Sequence, residues 1–139
     1  MSVYLLDTSV IIDALNGKRR RAELLTALAE RGHLLACCSI NVTEVYAGMR
    51  REEEAKTAEL LESLRFCPVT FPIARLAGLL KRDYTRQGIS LALGDVTIAA
   101  VALYHHLDLV TDNAKHFPMK ELTLYTLPRD GSEAGPRQG

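Results

Sequence analysis

Val3-Tyr4-Leu5-Leu6-Asp7-Thr8-Ser9-Val10-Ile11-Ile12-Asp13 opens the chain, and its reading decides the fold. Four residues rich in β-formers run into a carboxylate and two hydroxyls, and an apolar run with helical spacing follows. The pattern predicts a buried strand that ends at Asp7 and turns directly into a helix. In an open parallel α/β sheet, ligands sit beyond the carboxyl ends of the strands, so an acid at this turn is well placed for chemistry. Asp7, Thr8 or Ser9 can equally serve as the N-cap of the helix, and on this stretch alone both readings stay open.

Outward from there, the sequence alternates strand and helix patterns. Asn16-Gly17 ends the first helix, and Lys18-Arg19-Arg20-Arg21 is expected to open a second that continues through Leu24, Leu25, Leu28 and Ala29 to Gly32. Leu34 to Cys38 reads as a second strand, 39–48 as a helix carrying Glu44, and 51–64 as a long charged helix. A short third strand at 66–69, broken by Pro68, belongs at or near an edge. Pro72 opens the next helix, with Ile73, Leu76, Ala77 and Leu80 on its buried face. The segment 91–103 is apolar almost all round and predicts a central buried helix with Asp95 at its N-terminal end. Residues 107–110 read as a fourth strand leading into Thr111-Asp112-Asn113, and 122–127 as a fifth. The expectation is a three-layer α/β domain over 1–128 with a mostly parallel sheet, followed by a disordered tail at 129–139 that lacks apolar periodicity.

Composition bounds the function. With 139 residues, 47% hydrophobic and 24% charged, the chain fits one domain with an ample core. Seventeen basic and seventeen acidic residues cancel, so any surface for a polyanion must be local. The basic run Lys18, Arg19, Arg20 and Arg21, with Lys115 and His116, is the candidate place for phosphates, although a solvated charged turn explains the run as well. No apolar stretch reaches the roughly 20 residues of a membrane span, and no signal peptide is evident, so a cytoplasmic protein is expected. Cys37, Cys38 and Cys67 form no C-x-x-C pair and read as reduced, buried residues.

Asp7, Glu44, Asp95 and Asp112 all fall just past a strand or at a helix start. In a parallel sheet those places share one face, so the four carboxylates can converge in one cleft. Such a cluster has raised pKa values unless a cation compensates it. Oxygen ligands favour hard ions such as Mg2+ or Mn2+, an arrangement suited to cutting phosphodiesters. Singly, each acid has another explanation: a cap for Asp95, a surface position for Glu44, an Asx turn for Asp112-Asn113.

Leu6-Asp7-Thr8-Ser9, Asn41-Val42-Thr43-Glu44-Val45, Leu93-Gly94-Asp95-Val96-Thr97-Ile98-Ala99-Ala100 and Val110-Thr111-Asp112-Asn113-Ala114-Lys115-His116-Phe117 resemble, in order and spacing, the successive motifs of PIN-domain nucleases. In length the chain is most similar to the VapC toxins of prokaryotic toxin–antitoxin pairs. The resemblance implies a PIN-like fold and a Mg2+- or Mn2+-dependent endoribonuclease. It also implies inhibition by a small VapB-type antitoxin, RNA as substrate, and a homodimer or a hetero-oligomer with the antitoxin. A general RNA-processing nuclease and a catalytically weak PIN scaffold that mainly binds antitoxin or nucleic acid are the alternatives. Asp7, Glu44 and Asp95 match the family's central acids, and Asp112 or the adjacent Asn113 matches the fourth. Ser9 and Thr111 match small polar positions that orient water, metal or carboxylate.

Overall fold

A computed structural model of the chain describes residues 2–128, so the expected tail at 129–139 lies outside the described residues. β1 (Val3–Leu6) lies at the centre of a five-stranded, all-parallel sheet with β2 (Leu34–Cys38), β3 (Arg65–Cys67), β4 (Asp108–Thr111) and β5 (Leu124–Thr126), in the order β3-β2-β1-β4-β5. β3 is an edge, as Pro68 at its exit suggests.

Alternation along β1 divides the core. Tyr4 and Leu6 pack with Val10, Ile11, Leu25, Leu28, Val45 and Leu61, from α1 (Thr8–Leu15), α2 (Arg21–Glu30), α3 (Ser39–Gly48) and α4 (Glu54–Ser63). Leu5 points to the other face and packs with Ile73 and Ala77 of α5 (Phe71–Arg86) and with the buried side of α6 (Leu93–His105). In α6 every residue from Val96 to Ala102 is buried, which is why its sequence is apolar almost all round. Cys37, Cys38 and Cys67 are free and buried, and burial pushes the Cys37 thiol up to about 11.

Two helix boundaries differ from expectation. The second helix begins at Arg21 because Gly17, Arg19 and Arg20 adopt left-handed backbone conformations, with φ of 65°, 52° and 56°, and hold Lys18 to Arg20 in a turn. The charged segment after α3 divides into a 3-10 turn, Arg51–Glu53, and α4. There the Glu53 carboxylate accepts the Arg50 backbone N–H at 2.7 Å and tightens the entry.

A candidate acidic site at the carboxyl edge of the sheet

The strand order reverses at β1: the chain winds from β1 through β2 to β3 on one side, then crosses to β4 and β5 on the other. The carboxyl ends of β1 and β4 therefore border the crevice where doubly wound sheets bind ligands. Asp7 leaves β1 there and Asp112 leaves β4, and the Asp7 backbone N–H donates to the Val110 carbonyl at 2.9 Å, tying the two strand ends together.

Asp7 is both cap and candidate catalytic group. One carboxylate oxygen accepts the Thr8 N–H at 2.8 Å, and the other accepts the Thr111 hydroxyl at 2.7 Å. Thr111 in turn accepts the Asn113 backbone N–H at 2.9 Å. Burial pushes the Asp7 carboxyl up to about 6, and the charges of Asp95 and Asp112 add to the rise, while the hydrogen bonds from Thr111 and Thr8 oppose it.

Glu44 reaches the site from α3 and is fixed from below. The Thr8 hydroxyl donates to its Oε1 at 2.6 Å. Thr8 is itself held by the Asn41 amide at 3.0 Å. Asn41 is fully buried, donates also to the Leu6 carbonyl at 3.1 Å, and accepts the Cys38 N–H at 2.7 Å. One side chain thus links the ends of β1 and β2 to the Glu44 carboxylate. Asp95 sits in the first turn of α6, with His116 Nδ1 at 3.5 Å from its Oδ2. Burial raises its pKa, His116 counters the rise, and Glu44 reinforces it.

Asp112 has different surroundings. Its Oδ1 accepts the Ser9 hydroxyl at 3.0 Å and the Asn113 amide at 3.0 Å, and its Oδ2 lies 3.5 Å from the Arg21 guanidinium. The fold brings Asp7, Glu44, Asp95 and Asp112 to one rim, but the side chains do not form the single four-carboxylate cage that the sequence pattern suggests. Among the described residues, no three His, Cys, Asp or Glu side chains form a group that could hold an ion by themselves. That arrangement is compatible with Mg2+, which commonly takes one or two carboxylates and keeps several waters. Burial is the main cause of the raised Asp7 and Asp95 carboxyls, and neighbouring carboxylates add to it.

The basic run requires a correction. Arg21 is 2% exposed, so it lies beneath the rim and cannot belong to a surface phosphate patch. Lys18, Arg19 and Arg20 are exposed, with Arg19 paired to Asp13 at 2.9 Å; Lys115 and His116 are exposed in the 3-10 turn Ala114–His116. Sequence reasoning missed Thr8, Asn41, Gly94 and the inward role of Arg21. The spacing of Arg21, Leu25 and Leu28 along one helix face, with both leucines buried, is the signal for the last.

Comparison with known proteins places this geometry. The family model described as PIN domain matches residues 4–121. Ribonuclease VapC10 of Mycobacterium tuberculosis is 38% identical over 119 residues, covering 86% of this chain and 89% of the relative. A toxin–antitoxin complex from Klebsiella pneumoniae superposes with a TM-score of 0.71 at 28% identity, covering 86% of this chain and 94% of that one. The structure of VapBC2 from Rickettsia felis bound to a promoter DNA fragment shares the fold, with a TM-score of 0.79 at 23% identity, covering 89% and 98%. With the family's motifs set around one crevice and its model matched over nearly all the described residues, the chain belongs to the PIN-domain family, among the proteins named VapC.

Proposed function

We propose that this chain is an endoribonuclease, the toxin of a toxin–antitoxin pair, which hydrolyses RNA phosphodiester bonds with Mg2+ or Mn2+ and is held inactive by a VapB-type antitoxin. The single observation that carries the chemistry is the pair Asp7 and Asp95: two carboxyls from different elements, both raised by burial, with Asp95 adding to the rise of Asp7. The name of the 38% identical relative supports RNA as the substrate, and the Klebsiella complex supports an antitoxin partner.

Asp7 and Asp95 are the residues that would hold the ion, with water in its remaining positions. Such an ion, when bound, makes its water acidic and neutralises charge on the phosphate. The residues of the chain set the rest. Glu44, with Oε1 fixed by Thr8, offers Oε2 to orient a water or accept its proton. Thr111 keeps the Asp7 carboxylate in one orientation, and Ser9, Asp112 and Asn113 form the neighbouring wall. Lys18, Arg20, Lys115 and His116 are the exposed groups available to RNA phosphates. The nuclease unit spans 1–128, and assembly is as a homodimer or with the antitoxin. No helix among the described residues is long and apolar enough to cross a membrane; a cytoplasmic location follows from the proposed substrate.

The competing reading is a scaffold that binds RNA or antitoxin without cutting, which is favoured by the carboxylates standing apart, no three of them grouped for an ion among the described residues. Purified chain incubated with RNA separates the two. Cleavage with Mg2+ that is lost in EDTA and in a still cooperatively folded Asp95→Asn supports the enzyme. RNA binding without cleavage in any divalent ion supports the scaffold.

A further inference from the structure

Arg21 is the largest fully buried side chain among the described residues, and it carries a charge. Its Nη2 donates to the Pro128 carbonyl at 2.6 Å and faces Asp112 Oδ2 at 3.5 Å, while Nη1 donates to the Arg19 carbonyl at 3.4 Å. Nε has no hydrogen-bond partner among the described residues. A buried charge with an orphaned N–H is costly, and so is the approach to it. Arg19 and Arg20 are consecutive non-glycine residues with left-handed backbone, a conformation in which Cβ crowds the following carbonyl oxygen. This strained turn aims the Arg19 carbonyl at the guanidinium. A chain that needed only an apolar helix start would place leucine at 21, in line with Leu25 and Leu28.

Asp112 is the matching half. Its side chain is 7% exposed, Oδ1 is held by Ser9 and Asn113, and Oδ2 faces the guanidinium. Asp112 therefore carries an arginine counter-charge, whereas Asp7, whose two oxygens accept only uncharged donors, and Asp95, which faces His116, have no arginine or lysine ion pair among the described residues.

We propose that Arg21 is the built-in counter-cation of Asp112. It removes Asp112 from the metal-binding set and makes it a positioning residue, which holds Ser9 and Asn113 beside the ion site, while Arg21 itself bonds the Pro128 carbonyl just beyond β5. The ion is left to Asp7 and Asp95; this rests on the metal-dependent reading above.

The pair is close to neutral as a unit, and that property supplies the test. Mn2+ affinity is measured by calorimetry, without RNA, for wild type, Arg21→Gln, Asp112→Asn and the double variant. Arg21→Gln, which uncovers a negative charge, is expected to bind Mn2+ about tenfold more tightly, and Asp112→Asn about tenfold more weakly. The double variant is expected within about threefold of wild type, because removing both charges leaves the field at Asp7 and Asp95 nearly unchanged. A double variant as weak as Asp112→Asn alone would make Asp112 a direct ligand and overturn the proposal. Unchanged affinity in Arg21→Gln would reduce Arg21 to a structural residue, also overturning it.

Arg21→Lys covers the case in which Arg21→Gln does not fold. It keeps the charge and is expected to retain wild-type Mn2+ affinity at a lower melting temperature; tenfold tightening would count against the counter-cation role. Failure of the metal reading itself looks different: wild type and Asp95→Asn would then bind Mn2+ equally or not at all. The pair is judged in that event by a stability cycle in EDTA over the same four proteins. Non-additive losses sustain the Arg21–Asp112 link, and additive losses refute it.

Discussion

The carboxylate of Glu44 lies directly against the α-carbon of Gly94: a methyl group at residue 94 would stand 2.9 Å from Oε2. The glycine before Asp95 is therefore a space requirement of another residue's side chain. Alanine favours a helix over glycine by up to about 1 kcal/mol, and the atom it would meet is the free end of a flexible side chain. Gly94→Ala is expected to leave the melting temperature unchanged or slightly raised while displacing Glu44 and lowering RNA cleavage about tenfold or more. Thermal melts beside initial cleavage rates check this. Full activity in Gly94→Ala would show that the close approach has no part in the chemistry.

The raised Asp7 carboxyl makes a stability statement with a definite sign. With its folded pKa at about 6, above the ordinary aspartate value of 3.8, the folded state holds a proton that the unfolded chain has released across that interval. Without metal, this contribution is fully present below about pH 4 and is lost as pH rises through 6, by about 3 kcal/mol at most. Asp7→Asn, which cannot ionise, is expected to melt several degrees above wild type at pH 7.5 in EDTA and to show no gain at pH 4. Mg2+ is expected to close the difference by stabilising only wild type. Equal melting of the two proteins in EDTA at pH 7.5 would contradict the upward shift of this carboxyl by burial.

How far the chain could be read without coordinates depends on whether a residue's role is local. β1, the turn at Asp7, the sheet with β3 at its edge and the apolar α6 all follow from hydrophobic pattern and turn residues within short windows. Their common orientation in a parallel sheet is enough to bring Asp7, Asp95 and Glu44 to one rim. The partners were less legible. Asn41 looks like any polar residue near a helix start, and its three hydrogen bonds reach residues 6, 8 and 38. Arg21 was hidden inside a run of four cations whose composition suggests one solvated face. The left-handed turn at Arg19 and Arg20, which separates Arg21 from that face, runs against local preference, and in it the Arg19 carbonyl accepts from Arg21 while the Arg19 side chain pairs with Asp13.

Removing Arg21 from the basic patch leaves Lys18 and Arg20 as the exposed residues of the run that form no ion pair among the described residues. Lys18→Gln, Arg20→Gln, made in the Asp95→Asn background to prevent cleavage, is expected to weaken RNA binding chiefly at low salt. If each cation contacts one phosphate, the slope of log affinity against log salt falls by about 1.4 for single-stranded RNA. Binding isotherms at several salt concentrations measure it, and an unchanged slope would assign these residues to solvent or to the antitoxin.

The central claim is metal-dependent hydrolysis at the Asp7–Asp95 rim, and the chemistry of the fragment ends tests it most directly. If a water oriented at this site attacks phosphorus, cleavage in Mg2+ yields 5′-phosphate and 3′-hydroxyl ends. It also persists when the sugar at the cut position is 2′-deoxy, and it is absent in EDTA and in Asp7→Asn. Fragments ending in 2′,3′-cyclic phosphate, produced in EDTA by the purified wild-type chain, would contradict the account.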